Sequence, residues 1–197
     1  MNLANKLTIF RMILVPVMVV FAYLPIGGDV YTVSVPMLIM DLIFIIASIT
    51  DKLDGYIARS RNQVTTFGKF LDPIADKILV LAAMIMLVQD QRLPAWIPII
   101  VLFREFIVSG YRLVAVGENG NVIAASIWGK LKTVTQMFAL IFALIDMNPY
   151  AKCLSGKLNG FALAINIIAT VLMTVSVIAT IFSGCDYVKN GKELLKK

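Results

Sequence analysis

Six apolar stretches, at Thr8–Leu24, Pro36–Ala58, Phe70–Val88, Pro94–Ala115, Ala124–Met147 and Leu158–Phe182, are each long enough to cross a hydrocarbon layer as a helix. A spanning segment must satisfy its own backbone polar groups, and for stretches of this length that means an α-helix. The composition agrees: 59% of residues are hydrophobic and 15% charged, with a mean hydropathy of +0.87, outside the range of soluble domains. Turn residues sit between the stretches at Gly27-Gly28-Asp29, from Gly117 to Gly120 and at Asn148-Pro149. No linker, low-complexity tract or repeat divides the chain. Residues 1–197 therefore read as one domain, an all-α integral membrane bundle of six transmembrane helices. A short interfacial N-terminal segment, MNLANKLTIFR, precedes the bundle and lacks the pattern of a cleaved signal peptide.

The formal charge is +6, and its placement matters more than its size. With the N-terminus inside, fifteen basic residues fall on the inner side, and only Arg92, Lys152 and Lys157 fall outside. The positive-inside rule then puts both termini in the cytoplasm, as expected of a multi-pass protein whose basic loops and tail meet anionic lipid. No RNA-binding signature or interleaved aromatic stripe accompanies the charge, which argues against nucleic acid. Histidine is absent from the sequence, excluding His-based triads, His-ligated zinc and histidine general bases. Cys153 and Cys185 lie far apart without ligand spacing and read as small apolar fillers.

Four aspartates interrupt the second and third stretches: Asp51, Asp54, Asp72 and Asp76. A carboxylate at the bilayer centre costs about 2.5–3.5 kcal/mol, so four unpaired ones would cost roughly 10 kcal/mol or more. Spacings of three and four put each pair on one helix face, a turn apart. Gly55 and Ala58 share the first face, and Gly68 precedes Asp72 by a turn, allowing close approach of a helix or a ligand's phosphates. Two facing helices with paired carboxylates make an oxygen-rich pocket suited to Mg²⁺ or Mn²⁺, and two such ions commonly clamp displacement at phosphorus. Arg59 and Arg61 stand ready for phosphate oxygens. A blander reading, in which these are helix-end ion pairs such as Asp51–Lys52 and Asp76–Lys77, is weakened because adjacent helical residues do not face each other. Asp41 belongs to no constellation and is expected to snorkel or to hydrogen-bond locally.

The run Asp51-x₂-Asp54-Gly55-x₂-Ala58-Arg59-x₈-Gly68-x₃-Asp72-x₃-Asp76 resembles the signature of the CDP-alcohol phosphotransferases at every fixed position. The resemblance implies six transmembrane helices, a homodimer and a two-metal site that cleaves a CDP-linked lipid. It implies that Asp51, Asp54, Asp72 and Asp76 bind the metals, with Asp76 as general base. Asp54, Gly55, Ala58, Arg59 and Gly68 would hold the CDP moiety. Asn2 to Thr8 with Arg11, Phe103-Arg104-Glu105-Phe106 with Arg112, and Gly129 to Thr133 with Gln136 are similar to segments of a bacterial branch. That branch uses sn-glycerol 3-phosphate as acceptor, which places the chain in a bacterial cytoplasmic membrane with its site facing the cytoplasm.

An acceptor carrying its own phosphate needs fixed cations beside the metals, and Arg104, Arg112, Lys130 and Lys132 are the candidates. A mid-helix arginine such as Arg104 needs an anion or carbonyl partner. Glu105 and Arg112, seven apart, are expected to pair, and Lys130 and Lys132 to point apart so that only one meets the phosphate. The expected reaction is direct displacement on CDP-diacylglycerol, without a covalent intermediate. Inositol phosphate, serine or phosphatidylglycerol are alternative acceptors. An intramembrane prenyltransferase and a divalent-cation transporter are rivals of other classes, although six short helices without a repeat suit alternating access poorly.

Overall fold

The computed structural model describes residues 3–24, 27–30, 33–60, 66–118, 127–146 and 148–191. Within these, the side chains of 3–4, 29–30, 52–60, 66–70, 72–73, 112–118 and 190–191 lie outside the description. Six long helices follow in order: α1 (Leu3–Tyr23), α2 (Val35–Ser60), α3 (Thr66–Gln89), α4 (Trp96–Glu118), α5 (Ile127–Ile145) and α6 (Gly160–Gly191). Helix α1 lies along α2 and α3, α5 along α6, and α4 against α6 and α3, with α2 and α3 also meeting α5. Met18, Phe44, Leu79, Met84, Leu140 and Leu144 are fully enclosed where the helices meet.

The outward faces are the reverse of a soluble protein's. Phe103, Phe106, Ile127, Phe138, Phe161 and Ile85 are all at least half exposed, an apolar belt that water would not tolerate and lipid would. Helices α1, α5 and α6 are long and apolar enough to cross a membrane by length and composition among the described residues. Helices α2, α3 and α4 are as long, but ionisable residues punctuate them. The chain is a membrane protein.

Three sequence expectations are corrected. The N-terminal segment is not separate from the first span, because α1 is continuous from Leu3. Its residues Asn5, Thr8 and Arg11 are buried in register with Val15 and Met18, so one stripe faces the bundle throughout, polar at one end and apolar at the other. Helix α6 runs to Gly191 rather than stopping at Phe182, since no proline ends it and its last turns pack on α4. Asp41 does not snorkel: it is buried in α2, and its Oδ1 has no hydrogen-bond partner.

The turn after α1 also holds a feature absent from the sequence reading. Asp29–Val30 pairs antiparallel with Val33–Ser34, and Gly28, at φ 126°, lets the chain reverse into it while its carbonyl accepts from Val35 N at 3.1 Å.

At the opposite end of the bundle from the four aspartates, Arg92 ties the loops together. Its Nη2 donates to the carbonyls of Ala143 (2.6 Å) and Leu144 (2.9 Å), and also to that of Asp146. These are the acceptors left over at the C-terminus of α5, where a cation is favoured. Burial lowers the Arg92 pKa from its ordinary value, while Asp90 and Asp146 favour the charged form. The Asp146 carboxylate accepts from Asn148 N (3.0 Å) and Asn166 Nδ2 (2.6 Å), and Asn166 Oδ1 accepts from Cys153 N at 2.7 Å. Tyr150 Oη meets Thr174 Oγ1 at 2.7 Å, and its ring packs edge-on against Trp96. The α5–α6 connection is thereby sewn to α6 and to the α3–α4 turn. We expect Arg92→Met to destabilise the protein by about 2–3 kcal/mol, the value of hydrogen bonds to a charged donor. Thermal unfolding in detergent reads this, with the exposed Lys157→Met expected to stay within about 0.5 kcal/mol.

Candidate active site

Because the helices alternate in direction, the charged residues of five of them gather in one layer near the end where α2 closes and α3 opens. Arg11, on the third turn of α1, is fully buried and forms an ion pair with Asp51 of α2. Asp76, partly buried on α3, lies within electrostatic reach of Asp51, Arg11, Lys132 and Glu105. Lys132 of α5 is 7% exposed and donates to Glu105 Oε1 at 2.8 Å. On α5, Lys132, Gln136, Ala139, Leu140 and Leu144 make one buried stripe, polar at the site and apolar beyond it.

Arg104 has a larger retinue than its sequence predicts. Its Nη1 donates to Glu105 Oε1 (2.8 Å), its Nη2 to Ser183 Oγ of α6 (2.5 Å), and its guanidinium carbon lies 5.7 Å from the Tyr187 ring centroid. That last contact is a cation–π geometry. Gly129 lies close against the side chain, and Gly184 leaves ordinary contact distance. A Cβ on Gly129 would come within 3.3 Å of Arg104 Nη2, and one on Gly184 within 3.5 Å of Arg104 Cγ. The sequence requirement for an anion or carbonyl beside a mid-helix arginine is met by Glu105.

The site residues read from the sequence divide as follows. Asp51, Asp76, Arg104 and Lys132 come together in this layer. Lys130 is exposed while Lys132 is buried, so the two lysines do point apart. The positions of Asp54, Gly55, Ala58 and Arg59 fall on α2, those of Gly68 and Asp72 on α3 and that of Arg112 on α4, but their side chains lie outside the described residues, as does Arg61. The expected Glu105–Arg112 pair involves a side chain outside the described residues; among the described residues the Glu105 carboxylate is met by Arg104, Lys132 and, at 3.6 Å, Lys77. Lys77 bonds Ser109 of α4 and faces Glu105, whereas Arg104 and Glu105, adjacent on α4, do pair.

Sequence reasoning missed Arg11, Ser183 and Tyr187. Arg11 stands three residues after Thr8 and four before Val15, on the buried stripe of α1, and that periodicity was the available signal. Ser183 and Tyr187, four apart in a polar tail, carried none. Chemically, the layer offers carboxylate oxygens to a hard divalent cation on the α2–α3 side and fixed cations to an anion on the α4–α5 side.

That pairing of acid and base defines a class. The sequence pattern of the CDP-alcohol phosphatidyltransferase family matches residues 1–182, and the chain belongs to that family of transferases. Its relatives are more particular. A CDP-diacylglycerol--glycerol-3-phosphate 3-phosphatidyltransferase of Bacillus subtilis is 42% identical, over 99% of this chain and 97% of its own. A Haemophilus influenzae protein of the same name is 40% identical, over 97% and 94%. A probable phosphatidylglycerophosphate synthase of Mycobacterium tuberculosis is 37% identical, over 95% and 80%.

Removing one member of a buried ion pair strands the other. Arg11→Met is therefore expected to lower stability by about 3 kcal/mol, the low end for such pairs because Asp51 is partly exposed. Arg11→Met/Asp51→Asn should recover part of that loss. Chemical unfolding in detergent measures both, and full additivity of the single losses would mean the pair is not coupled.

Proposed function

We propose that this chain transfers the phosphatidyl group from CDP-diacylglycerol to sn-glycerol 3-phosphate, yielding phosphatidylglycerophosphate and CMP for phosphatidylglycerol and cardiolipin synthesis. The observation that carries the reading is the acid–base layer: Asp51 and Asp76 on α2 and α3, beside Lys132 and Arg104 on α5 and α4. The names of the relatives point to the same donor and acceptor.

In this reading all six helices cross the cytoplasmic membrane of a bacterium, both termini and the site face the cytoplasm, and the protein is a homodimer. Two Mg²⁺ or Mn²⁺ ions sit among Asp51, Asp54, Asp72 and Asp76. Two members of that donor set are described: Asp51 and Asp76 bring carboxylate oxygens from two helices, close enough for their charges to repel each other, and such oxygens suit a hard cation in a chain with no histidine. When bound, the ions neutralise pyrophosphate charge and stabilise the leaving phosphate.

The chain's own residues then act on the substrates. CDP-diacylglycerol enters sideways from the inner leaflet, and Asp54, Gly55, Ala58, Arg59 and Gly68 seat its CDP moiety. Lys132, with Arg104 and Arg112, holds the acceptor phosphate, and Lys130 stands outside as a membrane-surface cation. Asp76 takes the proton from the primary hydroxyl of sn-glycerol 3-phosphate. The freed oxygen attacks the phosphorus bearing diacylglycerol, the pyrophosphate bridge breaks and CMP departs past Arg59.

Purified protein given CDP-diacylglycerol and a panel of acceptor alcohols should release CMP with sn-glycerol 3-phosphate. Chelator should stop the release, and added Mg²⁺ or Mn²⁺ should restore it. Turnover with another alcohol but not with sn-glycerol 3-phosphate would overturn the acceptor assignment. Asp76→Asn should lower kcat by at least about 100-fold while leaving CDP-lipid binding in place. Undiminished turnover in that variant removes Asp76 as the base.

A further inference from the structure

The centre of the basic cluster is an acid. Glu105 projects from α4 into the layer with its side chain 18% exposed, and cations from three helices converge on it. Oε1 accepts from both Lys132 Nζ of α5 and Arg104 Nη1 at 2.8 Å, and Oε2 faces Lys77 Nζ of α3 at 3.6 Å. One negative charge cannot neutralise three positive ones, and in a low-dielectric interior the surplus is felt strongly. Asp51, paired with Arg11, and Asp76 also stand in the layer. Both are assigned to the metals. The Glu105 cluster is thus a group of cations gathered around a single carboxylate, with Lys132 also within electrostatic reach of Asp76.

Lysine is a point charge on a four-carbon stem that takes many rotamers. Lys132 is within electrostatic reach of two acids, Glu105 and Asp76. Without Glu105 its ammonium would be drawn to Asp76, the group that must accept the acceptor's proton. With Glu105 in place, Oε1 fixes one of the three ammonium hydrogens and leaves the others to point away. Arg104 is held more firmly still, by Ser183 and Tyr187 as well as Glu105.

We propose that Glu105 is a positioning residue for the acceptor: its carboxylate holds Lys132 and Arg104 in the geometry that receives the phosphate of the acceptor alcohol, and keeps Lys132 from closing on Asp76. The inference rests on the proposed reaction and adds to it a residue that touches neither substrate.

The test is steady-state kinetics of the full-length protein in detergent or vesicles, varying each substrate in turn. Glu105→Gln is expected to raise the KM for sn-glycerol 3-phosphate about 10–100-fold, the size of effect seen when the outer partner of a ligand is removed. The KM for CDP-diacylglycerol should stay within about twofold, and kcat should fall less than the acceptor KM rises. Glu105→Asp, which keeps the charge on a shorter arm, should restore part of the acceptor affinity. Because Glu105 acts through Lys132, adding Glu105→Gln to Lys132→Met should cost far less than it costs in the wild type. A merely structural carboxylate would instead change both KM values together, or add its full effect to that of Lys132→Met, and either result overturns the proposal. Should Glu105→Gln fail to fold, Glu105→Asp decides alone: a selective rise in acceptor KM supports the role, and an equal change for both substrates refutes it. If the wild-type chain prefers a different acceptor, the functional reading fails at that control, and the same measurements with the preferred acceptor still judge Glu105.

Discussion

A charge inside lipid has few places to go, and that constraint arranges this molecule. Each ionisable side chain in a helix must find a counter-charge, a dipole or water, or the segment carrying it will not settle in the membrane. A single helix rarely meets that demand alone: Arg104 reaches its neighbour Glu105, but the other pairs of the layer join different helices. The solution here is to bring α1 through α5 together at one level, so that Arg11 meets Asp51 and Glu105 meets Lys132, Arg104 and Lys77. Removing any one helix from the bundle would leave charges on its neighbours stranded, so the polar layer specifies which helices must adjoin as surely as the apolar packing below it does.

The same arrangement explains why catalytic chemistry can sit inside a membrane protein without dissolving its core. Polarity is graded along each stripe: Lys132 and Gln136 give way to Ala139, Leu140 and Leu144 on α5, as Arg11 gives way to Val15 and Met18 on α1. The charged residues of the layer are thus confined to one end of the bundle. The middle of the bundle is left to methionine, leucine and phenylalanine, whose packing is indifferent to charge.

Much of this was legible from the chain itself. The six helices follow from apolar length, and Asp51 and Asp76 meet in one layer as their helical spacing suggests, while the side chains of Asp54 and Asp72 lie outside the described residues. What stayed hidden depends on contacts between residues far apart in sequence. Arg11 counts as one more cytoplasmic cation until α1 is laid beside α2. Arg104 clearly needs a partner, but nothing local names Ser183 and Tyr187, nearly eighty residues away. Glu105 has Arg112 seven residues on by spacing, and only the placement of α5 reveals that Lys132 bonds it. The end of α6 was misjudged because hydropathy falls at Ser183, whereas the helix continues where its polar face has α4 to lean on.

Helix α6 is fastened at two levels. Toward one end, Asn166, Thr170 and Thr174 engage the loop after α5; toward the other, Ser183 and Tyr187 hold the arginine of α4. Thr170 and Ser183 are separated by roughly 20 Å of helix at 1.5 Å per residue. A rod riveted at two such points can flex, but it can neither slide along its length nor spin about its axis. Those two fastenings keep α4 and the loop after α5 in register along one and the same helix.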